Sequence, residues 1–186
     1  MLLGKKAGVV TAVFVVISLI TQFTLPTIYA GAFWVDALLA SVYVIICVSY
    51  ILFLAGLRGL AKGSESVKYT NALSFFTWTT VIASIVSFPT FFPNLMPLFV
   101  LTALSLIFVV LLVVMGIASL KLAPGFSTIS RNPWTPKASM WLKISGWLMA
   151  TVILLPIGAL LSLIADYYMW KALSHEVRGG NSAIAE

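Results

Sequence analysis

The stretch SFPTFFPNLMP, residues 87–97, contains three prolines, three phenylalanines and no charged side chain. It lies inside a run from Tyr69 to Leu120 that has no Lys, Arg, Asp or Glu. This run is too long for one helix across a bilayer, which needs about 20 residues, and has a suitable length for two. Proline disfavours helix at its own position and at the residue before it. The stretch therefore predicts an apolar turn between two membrane spans.

The composition of the whole chain also indicates a membrane protein. Of its 186 residues, 61% are hydrophobic and 9% are charged, whereas about one quarter of an ordinary soluble domain is charged. A small soluble fold could not hide this much apolar side chain from water. The pattern predicts an all-α fold, a polytopic transmembrane helix bundle of five spans. The expected spans are residues 7–29, 37–57, 71–88, 95–120 and 141–170, in one domain (1–173) followed by a flexible polar tail (174–186).

The fifth expected span contains Pro156. Proline is tolerated within membrane-spanning helices and usually bends them, so we expect a bend near residues 152–156. Tyr167, Tyr168 and Trp170 follow, and such aromatic groups are typical of the headgroup layer.

The N-terminal run has a second interpretation. Lys5, Lys6, the apolar residues 7–20 and the small residues 30–32 resemble a secretory signal peptide with its cleavage site. Cleavage within residues 1–32 would leave four spans.

The distribution of positive charge predicts an orientation. The net charge is +6, but the basic residues lie in short groups at the ends of apolar runs, which is typical of juxtamembrane segments and not of nucleic-acid binding. The positive-inside rule places one set in the cytoplasm: Lys5, Lys6, Arg58, Lys62, Lys68, Lys121, Arg131, Lys137 and Lys143. With five spans the N-terminus is cytoplasmic, and the C-terminus, with Lys171 and Arg178, lies outside the cell membrane.

Two segments suggest an internal repeat. AGLRGLAKG (55–63) ends the second span and MGIASLKLAPG (115–125) ends the fourth, and each precedes a helix with an early tryptophan and a later proline. In a parallel duplication, Gly56 and Gly116 would occupy equivalent positions.

The duplicated units would be helical hairpins over residues 37–88 and 95–165, with the first span as one extra helix. With its short hairpins, its GLRGLAKG-type span end and the repeated hairpin, the chain resembles the small, uncharacterised multi-spanning membrane proteins of archaeal genomes. The resemblance covers the whole chain in style only. It implies no activity and no functional residues.

Few side chains in the expected spans can carry chemistry. Cys47 is the single cysteine and His175 the single histidine, which excludes an internal disulfide, a cysteine-based zinc site and haem held by paired histidines. We expect no enzyme activity, no catalytic residue, no cofactor and no metal. Asp36 and Asp166 lie at the outer ends of spans two and five. They either anchor helix ends or form a polar pair on the outer face.

Two further groups of residues are candidates for contacts. Small residues four apart favour close helix packing, and they occur as Ala83 with Ser87, Gly146 with Ala150, and Gly158 with Ser162. The basic, aromatic loop between spans four and five either binds anionic lipid or a partner, or is a plain linker. Its residues of interest are Lys121, Arg131, Trp134, Lys137 and Lys143.

Three functional hypotheses follow. The first is a non-catalytic integral membrane protein, an accessory or scaffolding subunit whose partners are membrane lipid and other membrane subunits or copies of itself, without nucleic acid. The second is a small transporter or channel whose pathway uses hydroxyls and the backbone exposed at Pro156. The third is a lipid- or quinone-handling protein with a headgroup pocket near Trp147, Tyr167, Tyr168 and Trp170.

Overall fold

The computed structural model of the chain describes residues 1–28, 33–61, 67–92, 95–128 and 132–182. Within these residues the protein is all-helical, which confirms the all-α prediction. The six α-helices are α1 (Leu2–Ile28), α2 (Phe33–Leu57), α3 (Val67–Ser87), α4 (Leu98–Thr128), α5 (Thr135–Ala150) and α6 (Leu155–Ser182). Short 3-10 segments cover Arg58–Ala61, Phe88–Phe91 and Val152–Leu154.

Three helical segments of the described chain are long and apolar enough to cross a membrane. They are Phe33–Leu60, Val67–Phe91 and Leu98–Thr128, with 28, 25 and 31 residues, and a spanning helix needs about 20. The structure is therefore consistent with a membrane bundle, while the expected count of five spans is not confirmed.

Residues 141–170, which were expected to form one bent span, form parts of two helices that fold back on each other. Between α5 and α6 the backbone of Thr151 is extended, with φ −94° and ψ 115°. The side-chain amide of Asn132, before α5, donates to the carbonyl of Ala172 in the second half of α6 at 2.8 Å. The two helices are therefore antiparallel and share one end.

Two residues explain why this apolar run can reverse. Pro156 is the second residue of α6, where a missing N–H costs little because the first donors of a helix have no intrahelical partner. Gly158 lets α6 approach α5 closely, since a Cβ there would lie 2.6 Å from the backbone nitrogen of Met149. A proline suits a helix start as well as a kink, and the expected kink is wrong.

Helix α4 continues well past the expected limit at residue 120, to Thr128. Phe126 is fully buried, and its ring packs edge-on against Tyr69 with 5.4 Å between centroids. This packing continues the helix through Pro124. Much of the expected loop over residues 121–143 is therefore helical, because α5 already begins at residue 135.

Helix α6 also continues past its expected end. Residues 174–182, expected to belong to a flexible tail, are helical. Ala172, Leu173 and Ser174 are buried against the bundle, and this packing holds the helix where hydropathy alone predicts none. Residues 183–186 lie outside the described part of the chain.

The helices meet most closely at one end of the bundle, which we call the basic end. α1 begins and α2 ends there, and a Cβ on Gly56 would lie 2.7 Å from the Cα of Gly4. The Tyr69 hydroxyl, near the start of α3, donates to the carbonyl of Leu57 at 3.1 Å. Gly125, near the end of α4, lies against the same tyrosine. We call the opposite end the far end.

Helix α6 also reaches the basic end, because the Trp170 indole N–H donates to the carbonyl of Lys5 at 3.1 Å. The charged groups follow the same asymmetry. The lysines and arginines whose side chains are described lie in the half of the bundle towards this end: Lys5, Lys6, Arg58, Lys68, Lys121, Lys137, Lys143 and Lys171.

The expected duplication is not reflected in the helix contacts. Gly56 faces α1 through Gly4, whereas Gly116 faces α5, where its Cβ would lie 2.8 Å from the carbonyl oxygen of Gly146. The two glycines thus contact helices with different places in the fold. α4 and α5 pack along most of the length of α5, while α2 and α3 touch over a much smaller area.

Candidate functional site

A cleft of about 390 Å³ separates α1 from α6, with one face of α2 as its floor. α1 packs along α2 but approaches α6 mainly near the basic end, where Gly8 lies against Trp170. The walls of the cleft are apolar side chains, several of which are exposed on the bundle surface. The residues that matter below are Val13, Val16, Tyr50, Leu163, Asp166, Tyr167 and Trp170.

One carboxyl group lines this cleft. The Tyr50 hydroxyl on α2 donates to Oδ1 of Asp166 on α6 at 2.9 Å. Tyr50 lies seven residues before the end of α2 at Leu57, or about 10 Å along the axis. The pair therefore lies between the helices, well inside the ends of the bundle. An ionisable group at such a depth is costly and usually functional in membrane proteins.

The expected outer pair of Asp36 and Asp166 is not formed. Asp36 is in the first turn of α2 at the far end, while Asp166 contacts Tyr50, which is 14 residues further along that helix. At the rise of an α-helix this separation is about 21 Å. The reversal of α5 and α6 is the physical reason, because it directs α6 towards the basic end and places Asp166 beside Tyr50.

Aromatic rings and two lysines form a cluster beside the cleft, at the basic end. Lys171 Nζ lies 4.2 Å from the ring centroid of Trp134 and 5.1 Å from that of Tyr167. Lys137 Nζ lies 5.2 Å from Trp134 and 5.9 Å from Tyr168. We call these five residues the lysine–aromatic cluster. Cation–π contacts of this length are favourable for both ammonium groups.

The segment before α5 fixes the cluster in place. Asn132 is buried, its side-chain oxygen accepts the backbone N–H of Trp134 at 3.1 Å, and its amide nitrogen also donates to Glu176 Oε1 at 3.3 Å. The Trp134 ring stacks on Tyr168 at 6.2 Å and 24°. Since Asn132 also binds Ala172, the start of α5 and the second half of α6 are held as one unit.

The structure brings together only part of the loop that was expected to bind lipid or a partner. Trp134 and Lys137 belong to the cluster, but Lys121 lies on α4 over the ring of Phe75 at 5.0 Å, and Lys143 is exposed on α5. Arg131 lies outside the described residues.

The aromatic residues of the expected headgroup pocket separate in a similar way. Tyr167 stacks on Trp170 at 6.4 Å and 27°, and both line the cleft. Trp147 is 66% exposed and lies on α5 four residues before the reversal at Thr151, towards the far end. It takes no part in this site.

The small residues expected at helix contacts lie as follows. Gly146 faces Gly116 on α4, and the backbone of Ala150 approaches the same glycine. Gly158 lies against Met149 of α5, while the Ser162 hydroxyl donates within its own helix to Ala159. Ala83 and Ser87 are buried on α3, and the Ser87 hydroxyl bonds the hydroxyl of Tyr43 on α2.

Sequence reasoning missed Tyr50 and Lys171. Tyr50 is one of many apolar residues in the second run, and only its neighbour on α6 distinguishes it. Lys171 was assigned to the outer face because the fifth run was counted as one span.

Among the residues that the structure describes, no group of three His, Cys, Asp or Glu side chains could hold a metal ion. The chain matches no protein-family model, no curated protein and no solved structure.

Proposed function

We propose that this chain is a non-catalytic integral membrane protein that binds a membrane lipid in the cleft between α1 and α6. The observation that carries the proposal is the combination of an apolar cleft, about 390 Å³ in volume, with one hydrogen-bonded carboxyl group inside it. Binding sites for small amphiphilic molecules are mostly apolar clefts with a few polar groups that fix orientation. Val13 and Leu163 would contact acyl chains, and Asp166 would lie beside the lipid's polar linkage.

The charge distribution supports an orientation that differs from the one expected for five spans. α1 begins and α6 ends at the basic end, and the described lysines and arginines lie towards it. By the positive-inside rule this end faces the cytoplasm. We propose that an even number of crossings places the start of α1 and the end of α6 on the cytoplasmic side of the cell membrane.

A matched pair of substitutions tests lipid binding in the cleft. Leu163 and Leu160 are both exposed on α6, but only Leu163 lines the cleft. Native mass spectrometry of protein purified in mild detergent should find bound lipid in the wild type and in the Leu160→Trp control. The larger ring of Leu163→Trp fills the cleft, so the fraction of this variant that carries bound lipid should fall several-fold. Equal occupancy in the two variants, or no lipid on the wild type, would overturn the proposal.

A second candidate function is the accessory or scaffolding subunit. It is favoured by α4, whose residues 98–115 include no buried side chain, with Leu98 and Phe99 80% and 74% exposed. This surface suits another membrane helix as well as lipid. The same purification separates the candidates, because a stoichiometric partner protein in the absence of bound lipid would favour the subunit.

A further inference from the structure

The lysine–aromatic cluster lies beside the cleft, and Tyr167 belongs to both. Its ring lines the cleft and lies 5.1 Å from Lys171 Nζ. We propose that this cluster binds the phosphate of an anionic lipid headgroup whose acyl chains occupy the cleft. This inference rests on the proposed function and names the class of lipid.

The charge of the cluster favours an anion. Lys137 and Lys171 approach the same ring of Trp134, so two positive charges lie close to one aromatic ring. Within the described part of the chain, neither lysine forms an ion pair with a carboxylate. Glu176 lies near the cluster and accepts a hydrogen bond from Asn132. Two ammonium groups that form no ion pair among the described residues can each donate to phosphate oxygens.

The geometry holds these ammonium groups in place before a lipid binds. A free lysine loses rotamer freedom when it is immobilised at a binding site, which weakens binding. Here the Trp134 ring is fixed by its stacking on Tyr168 and by the bond of its backbone to Asn132. The cation–π contacts hold the two lysines over fixed rings, so less freedom remains to be lost.

The depths of the groups match those of a lipid. Asp166 and Leu163 precede Lys171 on α6 by five and eight residues, or about 7 Å and 12 Å along the axis. A phosphate at Lys171 would therefore place the glycerol linkage near Asp166 and the acyl chains near Leu163. Trp134, Tyr167, Tyr168 and Trp170 are also residue types that are enriched at the headgroup level.

The test compares two lipids of equal chain length on the purified full-length protein. Native mass spectrometry after exchange into phosphatidylglycerol or phosphatidylcholine should show a preference of roughly tenfold or more for the anionic lipid, given two lysines near the headgroup. The double variant Lys137→Gln with Lys171→Gln should lose this preference and still bind lipid. The control is Lys121→Gln with Lys143→Gln, which removes the same charge outside the cluster and should keep it.

The outcomes separate the two proposals. Bound lipid without headgroup preference in the wild type would overturn the headgroup site and leave lipid binding intact. An equal loss of preference in both double variants would show attraction to general positive charge, which also overturns the site. If inorganic phosphate alone stabilises the protein as well as phosphatidylglycerol does, the ligand is a free anion and not a lipid. Absence of any lipid from the cleft would overturn both proposals.

Discussion

The basic end and the far end of the bundle differ in packing. Large side chains that are fully buried, such as Leu54, Tyr69 and Phe126, lie towards the basic end. At the far end, Leu98 is 80% and Phe99 is 74% exposed. Lipid is as apolar as these side chains, so exposure to it carries no penalty. Hydropathy therefore identifies membrane helices without indicating where they pack together.

Charge distinguishes the two ends more clearly than packing does. The largest expected effect is in a labelling experiment that asks on which side of the membrane each end lies. In a Cys47→Ala background, we expect Lys68→Cys and His175→Cys, both exposed at the basic end, to react from the same side with a membrane-impermeant maleimide. Thr90→Cys, in the 3-10 turn at the far end, should react from the opposite side. The readout is all-or-none in intact cells compared with permeabilised cells.

This experiment separates the structure from the five-span interpretation. Five spans would place residue 175 on the side opposite to residue 68. Labelling of His175→Cys together with Thr90→Cys would therefore show that α5 and α6 do not reverse in the membrane. It would also contradict the proposed position of the lysine–aromatic cluster in the cytoplasmic headgroup layer.

The first four helices could be predicted from the sequence because long uncharged runs bounded by charge, or by the prolines of residues 88–97, determine them. The reversal at Thr151 could not be predicted in this way. The run over residues 144–165 has the length of one span, and Pro156 is compatible with both a kink and a helix start. The candidate site follows from that reversal. Tyr50 and Asp166 are 116 positions apart, and only tertiary structure brings them together.

The next largest predicted effect is a loss of stability when the close backbone packing at the basic end is disturbed. Gly56→Ala should destabilise the protein by roughly 1–3 kcal/mol, the usual cost of an overpacked contact, because its Cβ would meet the backbone of Gly4. In the control Gly59→Ala, the new Cβ meets the side chain of Met1, which is exposed at the chain end and can move away. Unfolding in mixed micelles with increasing SDS measures both. Equal stability of the two variants would contradict the close α1–α2 contact.

The smallest predicted effect is the loss of stability when either of two tyrosines on α2, seven residues apart, is replaced by phenylalanine. The Tyr50 hydroxyl bonds Asp166 on α6, and the Tyr43 hydroxyl bonds Ser87 on α3 towards the far end. Hydrogen bonds between membrane helices average about 0.6 kcal/mol, with a maximum of about 1.7. Tyr50→Phe should fall in the upper part of this range, because it leaves a carboxyl oxygen without its donor. Tyr43→Phe should fall in the lower part, because the Ser87 hydroxyl still donates to the carbonyl of Ser84 at 3.2 Å.

A double-mutant cycle of Tyr50→Phe with Asp166→Asn isolates the first of these bonds, with unfolding in mixed SDS micelles as the measurement. We expect a coupling free energy above that of a cycle of Tyr43→Phe with Ser87→Ala, since the Ser87 hydroxyl has a second partner in the carbonyl of Ser84. The cycle also tests the site, because bound lipid that contacts Asp166 should change the first coupling and not the second. A coupling at Tyr50 no larger than that at Tyr43 would mean that the bond to Asp166 contributes no more to holding the bundle together than an ordinary hydroxyl pair.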